Sequence, residues 1–130
     1  VLLAPSAAPA GWQVSEADGF GWRRALVTAG DDRLAIVCPP GAPPFAVPVL
    51  SRTGMIDAAS RYILGLDIDD ARYEQPMACS TVFCEAELPR VTWRALARGE
   101  RVTVWIDDRR GPTFTLVGSA AALRACSPAY

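Results

Sequence analysis

Four cysteines and no histidine constrain this 130-residue chain more than any other feature. An even cysteine set in a short chain is the mark of a disulfide framework, which persists in the periplasm or outside the cell and not in a reducing cytosol. The alternation of the chain places Cys38 on one face with Leu34 and Ile36, and Cys84 on one face with Ala86 and Leu88. Such positions suit structural sulfur rather than a reactive thiol. Of the three pairings available, Cys79–Cys84 and Cys38–Cys126 are favoured. The first closes a short loop, and the second ties an early strand to the last helix. A zinc site built from all four is the competing arrangement, but only Cys79 and Cys84 are close-spaced and the second knuckle is missing. No Cys-x-x-Cys redox motif occurs.

The same composition narrows the chemistry. Without histidine or lysine, Ser-His-Asp and Ser-Lys arrangements are excluded. Acid–base work would fall to carboxylates, tyrosines or thiols, so the chain reads as a non-enzyme. All 13 basic side chains are arginine, balanced by 14 acidic ones. A near-neutral chain with no basic face gives no basis for nucleic-acid binding. Its arginine, alanine, glycine and proline content reads as codon bias in a GC-rich bacterium. Asparagine is absent too, which excludes N-linked glycosylation.

No apolar run is long enough to span a bilayer. Residues 1–10, Val-Leu-Leu-Ala-Pro-Ser-Ala-Ala-Pro-Ala, resemble the end of a signal peptide with its small-residue cleavage region, or else an extended N-terminal arm that contacts another subunit. Residues 11–130 then form a single β-rich domain.

Two-residue alternation predicts most of that domain. Strands are expected over Trp22–Thr28, Arg33–Cys38 and, most clearly, Arg61–Asp69, where Tyr62, Leu64, Leu66 and Ile68 share a face. Tyr73–Met77 is a weaker strand. Phe45–Leu50 is expected at a sheet edge because it contains Pro48. Thr81–Leu88 presents Phe83, Glu85 and Glu87 on its wet side. Val102–Ile106 forms a hairpin with Phe114 and Leu116 through a turn at Asp107–Gly111. Helices are expected over Pro89–Arg98 and, capped by Ser119, over Ala120–Cys126. The fold class is therefore mostly β: a small antiparallel sandwich or barrel with two short helices, stapled by disulfides.

Candidate contacts with a partner or ligand are Trp105, which falls opposite the Val102/Val104/Ile106 face, its neighbour Arg101, Trp93, and Pro40 and Pro43 of the proline-rich stretch after Cys38. Arg94, Arg98 and Arg101 are a candidate anionic-partner patch. Asp67, Asp69 and Asp70 lack the glycine and terminal glutamate of a calcium loop and read as a solvated strand end. Glu85 and Glu87 have no opposing wall that would make them a glycosidase pair. No metal and no cofactor is implied.

The second half of the chain also resembles a known family. A mid-chain cysteine pair leads into Glu85-Ala86-Glu87-Leu88, the helix Trp93-Arg94-Ala95-Leu96-Ala97-Arg98-Gly99, a valine-rich strand, and Phe114-Thr115-Leu116-Val117-Gly118-Ser119-Ala120-Ala121-Ala122-Leu123. That order, over residues 79–126, is similar to the invasion-associated locus B family of small exported bacterial proteins. Phe83 stands where the family has glycine. The resemblance implies a periplasmic or secreted β-rich domain without recognised catalytic residues, some members being linked to host-cell invasion. Together these readings favour a non-enzymatic exported protein that binds another protein, as an accessory subunit of a cell-envelope assembly. The alternative is a glycan or small-ligand module using exposed tryptophans.

Overall fold

Alternation of apolar and polar residues becomes one antiparallel sheet of nine strands. A computed structural model describes residues 11–15, 19–51, 61–81 and 83–130; the leader or arm expected over residues 1–10 lies outside them. The strands are β1 (Gln13–Ser15), β2 (Arg23–Ala29), β3 (Asp32–Cys38), β4 (Phe45–Val49), β5 (Arg61–Ile68), β6 (Ala71–Cys79), β7 (Cys84–Glu87), β8 (Arg101–Ile106) and β9 (Arg109–Thr115). Helix α1 (Arg90–Arg98) separates β7 from β8, and α2 (Ser119–Cys126) follows β9. The spatial order is β1-β2-β3-β4-β7-β6-β5-β8-β9.

Strand β7 is the corner of this sheet. Its first two residues pair with β6 (Cys84 with Cys79, Glu85 with Ala78), and its last two pair with β4 (Ala86 with Ala46, Glu87 with Phe45). The sheet thereby folds on itself like a sandwich around a core that includes Leu34, Ile36, Leu64, Leu66, Met77, Leu96, Phe114 and Leu123. It stays open: β1 and β9 share no ladder, although Trp12 bridges the seam. Its backbone N–H donates to Val117 O at 3.3 Å and its indole N–H to Thr115 O at 2.9 Å. The barrel alternative is thus corrected to an open, folded sheet.

Helix α2 lies against β1, β2 and β3, and α1 packs on α2. The Thr92 hydroxyl joins α1 to Gln75 of β6 at 3.2 Å. Ser119 does not cap α2 as expected. Gly118, at φ 82°, takes the cap position, and the Ser119 hydroxyl instead donates to Leu96 O at 2.7 Å, tying the helices together. Both disulfides form, Cys38–Cys126 and Cys79–Cys84, which excludes a four-cysteine zinc site.

Two prolines sit inside strands, and the corner explains both. Strand β4 is not an edge strand, because it has β3 on one side and β7 on the other. Pro44 O accepts from Leu88 N, so Pro44, Ala46 and Pro48 turn their backbone groups toward β7. The β7 ladder ends at Ala46, so Pro48 withholds an N–H where no partner strand lies. Likewise Ile63 turns its backbone toward β8, its carbonyl accepting from the Asp107 N–H and its own N–H donating to the Asp107 carboxylate, so its partner across β5/β6, Pro76, faces the side of β6 that β7 has left. Strand β6 runs Ala71–Cys79 because it pairs with β5 along nearly its whole length, and it is longer than the weak strand expected over Tyr73–Met77. The β8–β9 turn is shorter than expected, with Asp107 and Asp108 alone between the strands. The register shifts at Thr103/Trp105, where Gly111 approaches Val104 O so closely that a Cβ would lie 2.8 Å from it.

Candidate partner-binding groove

The residues singled out from the sequence do not converge. Trp93 is core rather than surface: 7% exposed, with its ring edge-on to Tyr130 at 5.2 Å. Trp105 points outward but lies against Gly65 of the neighbouring strand, where a Cβ would meet its own Cβ at 3.2 Å. The Arg72 guanidinium covers the ring at 4.5 Å from its centroid. It is held there by Asp67, whose carboxylate accepts from Arg72 Nε at 2.7 Å and Nη2 at 3.1 Å. That bidentate bond holds the Asp67 carboxyl below the usual carboxylate range and raises the Arg72 guanidinium above its own. The Trp105 N–H is near enough to add to the lowering at Asp67, yet it forms no hydrogen bond of good geometry. Trp105 is therefore a half-buried strut, not an open platform.

Arg101 borders a polar cleft of about 540 Å³ together with Asp67, Asp69, Asp70, Glu100 and Arg110. Arg94 and Arg98 line a different depression, and Asp69 lies in both, so the three arginines do not make a single basic patch. Pro40 borders a depression of about 530 Å³ with Arg23, Arg90 and Tyr130. Pro43 also reaches a second, more apolar groove of about 620 Å³.

That groove lies along the corner strand. Its walls include Trp22, Phe45, Phe83, Pro39, Pro43 and Pro76, with the carboxylates of Glu85 and Glu87 and the guanidinium of Arg61. Trp22 stands edge-on to Phe45 at 6.2 Å, with the rings at 77°. Trp22 and Phe83 are 37% and 44% exposed. The strand registers lay out the floor. One outward row runs Arg61–Ala78–Glu85 across β5, β6 and β7, and the next runs Arg24–Val37–Phe45–Glu87 across β2, β3, β4 and β7. Phe45 continues into a second apolar cluster on the outer face, formed by Ala35, Val37 and Val47 with Leu26. The sheet is thus apolar on both faces here, and the outer face leads into the groove.

Sequence reasoning placed Phe83, Glu85 and Glu87 on one face but assigned it to bulk water, and it missed Trp22 and Phe45. The signal was present in β3 and β4: every residue from Leu34 to Cys38 is apolar and buried, the pattern of a strand covered on both sides rather than on one.

No protein-family model matches the chain, and no curated protein or solved structure matches it significantly.

Proposed function

We propose that this chain is a non-enzymatic exported bacterial protein of the periplasm or extracellular space, which binds another protein of the cell envelope as an accessory subunit. The observation that carries this reading is the largely apolar groove at β7, where Trp22 and Phe83 stand exposed beside Phe45. Exposed aromatics set among prolines in a concave, largely apolar site are the composition of a protein-binding surface. Two disulfides fit an oxidising compartment, and among the described residues no helix is long and apolar enough to cross a membrane. The resemblance over residues 79–126 agrees with export and brings no catalytic residues.

A photo-cross-linking residue placed at Phe83, in the oxidised chain in its own compartment, should trap a defined protein. The same probe at Arg124, an exposed residue of α2, should not. Equal trapping at both positions, or none at either, would remove the reading. A saturable fluorescence response to a glycan panel, lost in Trp22→Ala, would replace it with the carbohydrate alternative.

A further inference from the structure

The groove carries a charge pattern that specifies its occupant more narrowly than apolar shape does. Glu85 and Glu87 leave the same face of β7 and are separated by about 7 Å along the strand. Neither takes part in an ion pair or a side-chain hydrogen bond among the described residues. Arg61 stands two strands away from Glu85, and Arg24 three strands away from Glu87, with Ala78 and with Val37 and Phe45 between them. Arg61 lines the groove as well, yet it forms no ion pair with either glutamate. The groove thus brings together two carboxylates that have no ion-pair partner among the described residues and the rings of Trp22, Phe45 and Phe83. Ring faces and carboxylates attract the same kind of group, a cation with an apolar stem.

Resting on the partner-binding reading, we infer that the groove takes an extended peptide segment of the partner that presents a guanidinium or ammonium side chain to Glu85 and Glu87. The stem of that side chain lies on the aromatic walls, and flanking apolar residues fill the proline-lined ends. Arginine suits the site best, because its planar head can stack on a ring while donating to a carboxylate.

The test uses the oxidised full chain and three acetylated, amidated pentapeptides: Leu-Pro-Arg-Pro-Leu and its counterparts with citrulline or glutamate at the centre. Binding is followed through the Trp22 indole N–H resonance, assigned with Trp22→Phe. The arginine peptide should shift that resonance saturably. The citrulline peptide should bind about tenfold more weakly, the size of effect expected for losing a charge-assisted hydrogen bond, and the glutamate peptide more weakly still. Added salt should weaken only the arginine peptide. Glu85→Gln together with Glu87→Gln should make arginine and citrulline equal, whereas Glu100→Gln should leave the difference intact. Because both glutamates are exposed and make no side-chain bond among the described residues, an unchanged urea midpoint separates lost recognition from lost folding. Equal binding of the three peptides overturns the inference, as does an unmoved Trp22 resonance. If the Phe83 cross-linker still traps a partner, the partner-binding reading survives that result. Discrimination for arginine without a trapped partner would keep the cation site and remove the partner.

Discussion

Asp69 and Asp107 occupy reciprocal positions at the two ends of the β5/β8 pair. Each begins a two-residue turn, each has a left-handed backbone (φ 55° and 54°), and each donates its N–H to the opposite strand of the pair: Asp69 to Arg101 O of β8, Asp107 to Ile63 O of β5. The carboxylates complete the exchange. Asp69 accepts from the N–H groups of Glu100 and Arg101, and Asp107 accepts from that of Ile63. Aspartate is chosen because it tolerates this backbone region and carries its own acceptor. Substitutions at Asp69 should separate the two contributions. Asp69→Gly keeps the conformation and loses the acceptor, at a cost of about 1 kcal/mol. Asp69→Ala loses both and should cost about 2–3 kcal/mol, since a Cβ in the left-handed region adds its own penalty. Urea unfolding measures the order; alanine no worse than glycine would show that backbone conformation contributes nothing here.

The Asp67–Arg72 pair predicts an acid limb. Asp67 titrates below its unfolded value because Arg72 hydrogen-bonds its charged form. Its contribution to stability is therefore fully present above the unfolded pKa of about 3.9 and is lost as pH falls through the lower folded value. Asp67→Asn should flatten the fall in urea midpoint below about pH 4 while leaving the slope between pH 5 and 8 unchanged. It should also free Arg72 from the Trp105 ring and change the indole emission. An acid limb of unchanged steepness would assign the titration to other carboxylates.

How far the sequence reveals this architecture depends on whether a residue's neighbours are local. The β5 alternation and the β8–β9 hairpin are visible because one face is buried and the partner follows closely. The pairing of Cys38 with Cys126 was legible because Cys79 and Cys84 close a short loop, which leaves a bridge from an early strand to the last helix. What escaped depends on β7, four residues that pair half with β6 and half with β4. No periodicity announces a strand that changes partner midway. Without it Pro48 looks like an edge marker, and Glu85 and Glu87 appear to face open water. Trp105 was legible as outward but not as covered, because Gly65 and Arg72 come from other strands.

Gln75 and Thr92 should be energetically coupled. Gln75 is 3% exposed; its amide nitrogen donates to Leu64 O and Tyr73 O, and its oxygen accepts from the Thr92 hydroxyl. Thr92→Val strands that oxygen, and Gln75→Leu strands the hydroxyl, each costing about 1–3 kcal/mol. The double variant should be less destabilised than the sum by about 1 kcal/mol or more, because no unpaired group remains between them. Additive losses in a double-mutant cycle would mean that the bond holding α1 to the sheet is negligible.

The two disulfides should fail differently. Cys38–Cys126 closes a separation of 88 residues and Cys79–Cys84 one of 5. On the chain-entropy account, losing the first costs about 4–5 kcal/mol and losing the second about 2 kcal/mol. Cys38→Ser with Cys126→Ser should therefore lower the urea midpoint more than Cys79→Ser with Cys84→Ser. The short bridge matters instead at the groove. Two residue pairs are all the ladder that joins β7 to β6, and the bridge lies at one of them, next to Phe83. Its removal should leave the fold cooperative but let β7 shift, broadening the Trp22 indole resonance and weakening arginine-peptide binding several-fold. A chain lacking the 79–84 bridge that binds the peptide with unchanged affinity would show that β4 alone positions the corner strand.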